Sequence, residues 1–163
     1  MDNAFLAQLF EHKAWCNRGL AAALKAAPEA ADRRQMAVIL FTFEHTAIVD
    51  RIFRAHLTGQ PHGYAGVVGA QRPDIDRLAA EMAETDAWYV AYAKAVTPAE
   101  FAETVEFVFT DGDPGRMTRG QMLAHVITHG ALHRGAIGKM LEGLGAPGPS
   151  DMVTTFARQM RVS

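Results

Sequence analysis

Cysteine is almost absent from this sequence, and so are long apolar runs. Cys16 is the one cysteine among 163 residues, which excludes an intrachain disulfide and agrees with a reducing compartment. No uninterrupted apolar run approaches the roughly 20 residues that span a bilayer. Residues 1–6 also lack the basic start and apolar core of a secretory signal. We therefore expect a soluble cytoplasmic protein.

The sequence also lacks an excess of charge of either sign. Its 16 lysines and arginines are scattered among 18 aspartates and glutamates, and the formal net charge is -2. Proteins that bind nucleic acid or anionic membranes through charge have a basic patch, so neither partner is expected.

Residues 59–73 are Gly-rich but lack the lysine and hydroxyl residue of a phosphate-binding loop. They are either a connection or a lid over a site.

What the sequence does have is apolar side chains at helical spacing. Hydrophobic residues make up 49% of the chain, enough for one domain of residues 1–163 with a continuous core. The spacing predicts an all-α fold, with a short β-hairpin or extended segment before the fourth long helix and a short last helix capped by Ser150. The long helices are predicted at residues 3–27, 33–57, 75–96 and 119–144, and a short helical turn follows Thr97.

Three histidines follow one another at four-residue spacing in the last long helix: His125, His129 and His133. Residues four apart lie one turn apart on the same face of a helix, so two such imidazoles can bind one cation. The outer two are roughly 12 Å apart and cannot share an ion. The apolar residues of this helix place His129 and His133 towards the interior and His125 to the side, so the inward pair is the candidate.

His45 is the candidate third ligand. It lies within an apolar stripe on the second helix that comprises Val38, Phe41, Ile48, Val49 and Ile52. A single histidine in such a position is usually a core residue with hydrogen-bonded ring nitrogens, and so is an isolated His-x-x-x-His pair. Three neutral imidazoles that meet inside a protein are costly to bury unless they bind something, so the three together predict a metal site. His56 lies roughly 16 Å further along the helix and is excluded.

These segments together resemble the DinB-like superfamily, which includes YfiT-type metal-dependent hydrolases and transferases that use bacillithiol or mycothiol. The resemblance covers nearly the whole chain, and its carriers are Trp15-Cys16-Asn17, Glu44-His45, residues 48–51, residues 125–135, Leu144-Gly145 and Asp151. It implies an up-down-down-up four-helix bundle, often a homodimer, with a divalent ion bound by His45, His129 and His133. His125 is similar to a further histidine of the family that is not a ligand.

Three histidine ligands leave coordination positions open, as in a catalytic metal site. Such an ion either activates water for hydrolysis or binds a thiol as thiolate for transfer to an electrophile, and the residues leave both open. Hydrolysis normally needs a general base, yet Glu44 points about 100° away from its neighbour His45. Thiol transfer is therefore the first hypothesis, and metal-dependent hydrolysis the alternative.

The expected substrate is a small molecule, with a low-molecular-weight thiol as the first candidate. Zinc suits imidazole ligands best, although nickel, iron and copper also bind them. Ala136 stands where many relatives have Gln, and this difference affects the identity of the substrate more than the binding of the metal.

The competing class of protein is a non-catalytic, dimeric stress protein that binds metal or a small ligand.

Three further residues receive no role in this site. Cys16 fits a packed helix thiol better than a nucleophile or ligand, because nothing near it in sequence would lower its pKa. His12 is expected at the surface. Arg134 contributes to the family resemblance alone.

Overall fold

The computed structural model describes residues 2–27 and 32–160 of the chain. These residues are mostly helical and form six helices and a small two-stranded antiparallel sheet. In chain order the elements are α1 (Asn3–Lys25), α2 (Arg33–Thr58), α3 (Ile75–Ala95), α4 (Pro98–Ala102), β1 (Thr104–Val108), β2 (Pro114–Thr118), α5 (Arg119–Gly143) and α6 (Val153–Met160). The predicted helical fold with a hairpin before the fourth long helix is confirmed, while the up-down-down-up bundle topology stays a prediction.

Side-chain caps begin the long helices where the sequence predicts them. Asp32 accepts hydrogen bonds from the main-chain N–H groups of Arg34 and Gln35 at the start of α2, and these groups have no partner within the helix. Thr118 and Gln121 form a reciprocal capping box at the start of α5. The predicted cap at Ser150 is wrong, because α6 begins only at Val153.

The β-hairpin leads directly into α5. Its register pairs Thr104 with Thr118 and Phe107 with Gly115, and Thr118 is also the N-cap of α5. Gly115 is buried beneath the Phe107 ring, where an added Cβ would lie 2.5 Å from the ring carbons. The hairpin therefore fixes the start of the helix that carries His129 and His133.

Two apolar clusters form the core, and all four long helices contribute to each. One cluster is formed by buried residues such as Phe10, Phe53, Tyr89 and Met122. The other is formed by buried residues such as Leu20, Phe43, Met82 and Ile137. On α1, α3 and α5 the segments between the two clusters carry buried polar side chains, which are Lys13, Asn17, Thr85, Asp86 and Arg134. No helix in residues 2–27 and 32–160 is long and apolar enough to cross a membrane.

Two glycines of α5 differ in the space around them. An added Cβ at Gly120 would lie 2.3 Å from the Phe101 ring, whereas nothing lies within 4 Å of one at Gly135. We expect Gly120→Ala to lower the free energy of unfolding by about 1–3 kcal/mol through overpacking. Gly135→Ala should raise it by up to about 1 kcal/mol through helix propensity. Chemical denaturation of both variants tests this prediction, and equal effects would contradict it.

Candidate metal centre

The structure brings together the three histidines that the sequence selects. His45 lies on α2, His129 and His133 lie on α5, and one ring nitrogen from each lies within 4.8 Å of the other two. The Nε2 atoms of His45 and His129 are 3.0 Å apart. Ligand nitrogens around a tetrahedral zinc ion lie about 3.3 Å apart at Zn–N distances of 2.0–2.1 Å. All three residues are half-buried, so part of each remains exposed to solvent.

A backbone carbonyl orients the His45 ring. His45 Nδ1 lies 2.9 Å from the carbonyl oxygen of Val67, in the Gly-rich segment after α2. A carbonyl accepts but cannot donate, so the proton of the neutral ring is on Nδ1. The lone pair of Nε2 therefore faces His129, as in metal sites whose ligating histidine donates its other N–H to a carbonyl. The predicted connection or lid thus contacts the site through its main chain.

Burial keeps the α5 histidines neutral. It lowers the pKa of His129 to about 3, with further contributions from His133, His45, His125 and the charge of Lys13. Burial, followed by His45, also lowers the pKa of His133. Neutral imidazoles carry the lone pairs that a divalent ion needs, so these ligands remain available near pH 7.

The contact between His129 and His45 needs either a bridging proton or a cation. His129 Nδ1 is buried and has no hydrogen-bond partner among the described residues, while its Nε2 faces the lone pair of His45. His129 either donates its proton to His45 or shares a cation with it. Three converging imidazoles with open positions are the ligand set of a catalytic zinc site, and the residues present fit a divalent ion.

The structure separates the other candidates from the three-histidine site. His125 packs against Phe53, with ring centroids 4.6 Å apart, and His56 contacts Phe53 and Phe107. The Glu44 carboxylate accepts a hydrogen bond from the main-chain N–H of Gly69 at 3.1 Å. None of these residues belongs to the group of nearby donor atoms, in agreement with the sequence interpretation.

The predicted apolar stripe around His45 is correct only in part. Ile48, Val49 and Ile52 are buried, but the Val38 side chain is 55% exposed. In the first turns of α2 the buried residues are Ile39, Leu40 and Phe43. The buried face moves around α2 along its length. Residues at a fixed spacing of three or four drift around a helix of 3.6 residues per turn, so one stripe does not stay buried from end to end.

The pKa of His129 predicts a pH effect on the metal-free protein. In the unfolded chain this histidine titrates near 6.5, whereas in the folded protein its pKa is about 3. The unfolded state therefore binds the extra proton between these values, and stability is lost as the pH falls from about 6.5 towards 3. Denaturation in the presence of a chelator should show this loss, and His129→Gln should reduce it. An unchanged pH dependence in the variant would contradict the prediction.

A buried charge network lies among the same helices and was not predicted. Lys13 Nζ is 2.6 Å from Asp50 Oδ2 and 2.6 Å from Asp86 Oδ1, and the lysine side chain is 1% exposed. Burial alone would lower the pKa of Lys13, but the two carboxylates outweigh it and raise the pKa. Burial raises the pKa of Asp50 to about 6 in spite of Lys13. Lys13 thus joins α1 to α2 and α3.

Arg134 has a structural role that its place in the histidine motif does not reveal. Its Nε and Nη2 atoms donate to the two carboxylate oxygens of Asp151 at 3.0 and 3.2 Å, and its Nη1 donates to Asn17. Asn17 in turn donates to Asp86. The side chain next to His133 therefore extends the buried network to the segment before α6.

His12 and Cys16 lie beside this arginine. The prediction of a surface position for His12 is wrong, because its side chain is 12% exposed and contacts Cys16 and Phe156. Cys16 is buried, as expected for a packed thiol. Burial and the Asp151 carboxylate raise the pKa of the Cys16 thiol to about 12, so it is not an activated nucleophile.

The fold and the site define a helical protein whose three clustered histidines can form a divalent metal site. The family model described as the DinB family matches residues 1–161, and the chain belongs to this family. The resemblance found in the sequence is thereby confirmed. No curated protein gives a significant match.

Proposed function

We propose that this DinB family protein is a metal-dependent transferase that joins a low-molecular-weight thiol to a small electrophile. The observation that carries the proposal is the convergence of His45, His129 and His133 within 4.8 Å. The Val67 carbonyl orients the His45 lone pair towards this point, and three ligands leave positions for a substrate. Zn²⁺ is the proposed ion, because it suits imidazole ligands.

The surroundings favour a thiol over water as the nucleophile. Activation of water by a metal site usually employs a nearby general base, and the sequence neighbour that could serve, Glu44, is bonded to the Gly69 N–H. A thiol has a pKa several units below that of water, so it needs less help to lose its proton. A divalent ion bound by the histidines would supply the positive charge that favours the thiolate form.

The proposed reaction is a substitution at carbon. With an aryl chloride as the electrophile, the thiol sulfur forms a C–S bond and the C–Cl bond breaks. Chloride leaves with the bonding electron pair, and the thiol proton passes to the solvent. His45, His129 and His133 would hold the ion through neutral ring nitrogens and take no proton in the reaction.

A thiol screen tests the proposal. Zinc-loaded protein is mixed with chlorodinitrobenzene and with cysteine, glutathione, bacillithiol or mycothiol in turn, and product absorbance is followed. Turnover above the uncatalysed rate with one thiol, lost in His129→Ala and retained in His125→Ala, is the expected result. The His125→Ala control changes the same helix but not the proposed ligands.

Other outcomes would overturn the proposal. Hydrolysis of nitrophenyl acetate without thiol, also lost in His129→Ala, would assign the site to hydrolysis. Binding of zinc with no turnover of either substrate would assign the protein to non-catalytic metal binding. The homodimer and the cytoplasmic location stay predictions.

A further inference from the structure

A second cluster of metal-binding side chains lies outside the three-histidine site. His12 and Cys16 lie one turn apart on α1, and Asp151 lies in the segment before α6. His12 Nε2 is 3.2 Å from Cys16 Sγ and 3.8 Å from Asp151 Oδ1. One donor atom from each of the three residues lies within 4.8 Å of the others. A nitrogen, a sulfur and an oxygen atom therefore converge.

These separations are close to those around a tetrahedral ion. Zinc lies about 2.3 Å from thiolate sulfur, 2.0–2.1 Å from imidazole nitrogen and 2.0–2.2 Å from carboxylate oxygen. With tetrahedral angles, sulfur and nitrogen then lie about 3.6 Å apart, and nitrogen and oxygen about 3.4 Å apart. The observed 3.2 and 3.8 Å each differ by about 0.4 Å, which side-chain rotation can supply.

The surroundings hold the donors in place. Cys16 is 2% exposed, and the His12 ring packs against both Trp15 and Phe156, at centroid distances of 6.0 and 5.5 Å. Burial lowers the pKa of His12 in spite of Asp151, so its ring is neutral and can act as a ligand near pH 7. Burial and Asp151 raise the pKa of the Cys16 thiol, so an ion that binds here has to displace the thiol proton.

Arg134 orients the third donor. Its Nε donates to Asp151 Oδ2 at 3.0 Å, and its Nη2 donates to Oδ1 at 3.2 Å. Asp151 Oδ1 is the oxygen that faces His12, so the carboxylate can give Oδ1 to an ion and keep Arg134 on Oδ2. Hydrogen bonds of this kind to a ligating carboxylate are usual around metal ions. The guanidinium also offsets part of the negative charge of a thiolate and a carboxylate.

We propose that His12, Cys16 and Asp151 bind a second divalent ion, which is thiophilic and for which Zn²⁺ is the best match. The ligand set of one sulfur, one nitrogen and one oxygen distinguishes this site from the three-histidine site. An ion at this position connects α1 to the segment before α6. The proposal does not depend on the reaction proposed above.

Metal content tests the proposal on the full chain. The protein is incubated with Zn²⁺, freed of loosely bound metal by gel filtration and analysed for zinc per chain. We expect two ions in the wild type, one in Cys16→Ser and one in His45→Ala. His62→Gln serves as the matched control and should keep both, because His62 contacts Tyr64 and His56 and belongs to neither cluster.

Cobalt substitution identifies the ligands independently of activity. Only a site with a thiolate gives a sulfur-to-cobalt charge-transfer band in the near ultraviolet. This band should appear in the Co²⁺ forms of the wild type and of His45→Ala and be absent from Cys16→Ser. His12→Gln, checked by circular dichroism, provides a second variant and should lower the affinity for Co²⁺ at this site at least tenfold.

The result that would overturn the proposal is specific. If Cys16→Ser and His12→Gln are folded and keep the zinc content and the cobalt spectrum of the wild type, the cluster is only a hydrogen-bonded contact. Failure of the three-histidine site is recognised separately, because His45→Ala would then keep the zinc content of the wild type.

Discussion

Replacement of Lys13 by methionine should lower the free energy of unfolding by about 3–5 kcal/mol, the range for breaking a buried ion pair. Lys13 is 1% exposed and bonds Asp50 and Asp86, each at 2.6 Å. Methionine fills similar space without the charge, so both carboxylates lose the cation that offsets their burial. Urea denaturation at pH 7 measures the effect.

Lys94→Met is the matched control. Lys94 pairs with Glu11 at 2.9 Å, but its side chain is 59% exposed. Exposed pairs contribute about 0.2–1 kcal/mol, so this variant should remain close to the wild type. Similar losses in the two variants would show that the Lys13 network contributes no more than a surface pair.

The Lys13→Met deficit should depend on pH. Burial already raises the pKa of Asp50 to about 6, against about 3.9 in the unfolded chain, and loss of the cation raises it further. A carboxyl whose pKa is raised on folding contributes stability in its protonated form, which is present at low pH and lost as the pH rises through the folded value. The deficit should therefore be largest near pH 8 and shrink towards pH 5. A deficit that is constant over this range would contradict the assignment to unpaired carboxylates.

The parts that the sequence predicts are those that depend on local spacing. The helix starts at Arg33 and Arg119 follow from the caps Asp32 and Thr118. The pairing of His129 with His133 follows from their four-residue spacing, which places both on one face of the helix. His45 is selected by its place in the apolar stripe of the second helix and by the family resemblance. Local spacing alone does not encode its distance from α5.

The parts that the sequence misses depend on contacts between distant segments. The partners of Lys13 lie 37 and 73 residues away, and the helical pattern of α1 contains no sign of them. The Val67 carbonyl is a main-chain group, which residue identity does not reveal. The partly buried position of His12 depends on Asp151 and Phe156, which lie far along the chain. A histidine and a cysteine four residues apart on α1 were the available signal for the second cluster.

Replacement of His45 by alanine should have the largest effect on metal binding. Loss of a residue that merely orients a metal ligand costs about 10–100-fold in affinity, and loss of a ligand should cost more. His45 is also the one member of the site on α2, and its Nε2 faces His129 at 3.0 Å. We expect the affinity of the three-histidine site for Zn²⁺ to fall more than 100-fold, as measured by competition with a chelating dye.

The control for this prediction is His125→Ala, in the same row of histidines. His125 stacks beside His129 at a centroid distance of 5.2 Å but offers no donor atom to the group of three. Because burial lowers the pKa of His125, the wild-type ring adds no positive charge near pH 7, and its removal should change zinc affinity less than tenfold. A loss in His125→Ala as large as in His45→Ala would move the site towards the outer end of the row. Unchanged affinity in both variants would mean that the three imidazoles meet only to hydrogen-bond one another.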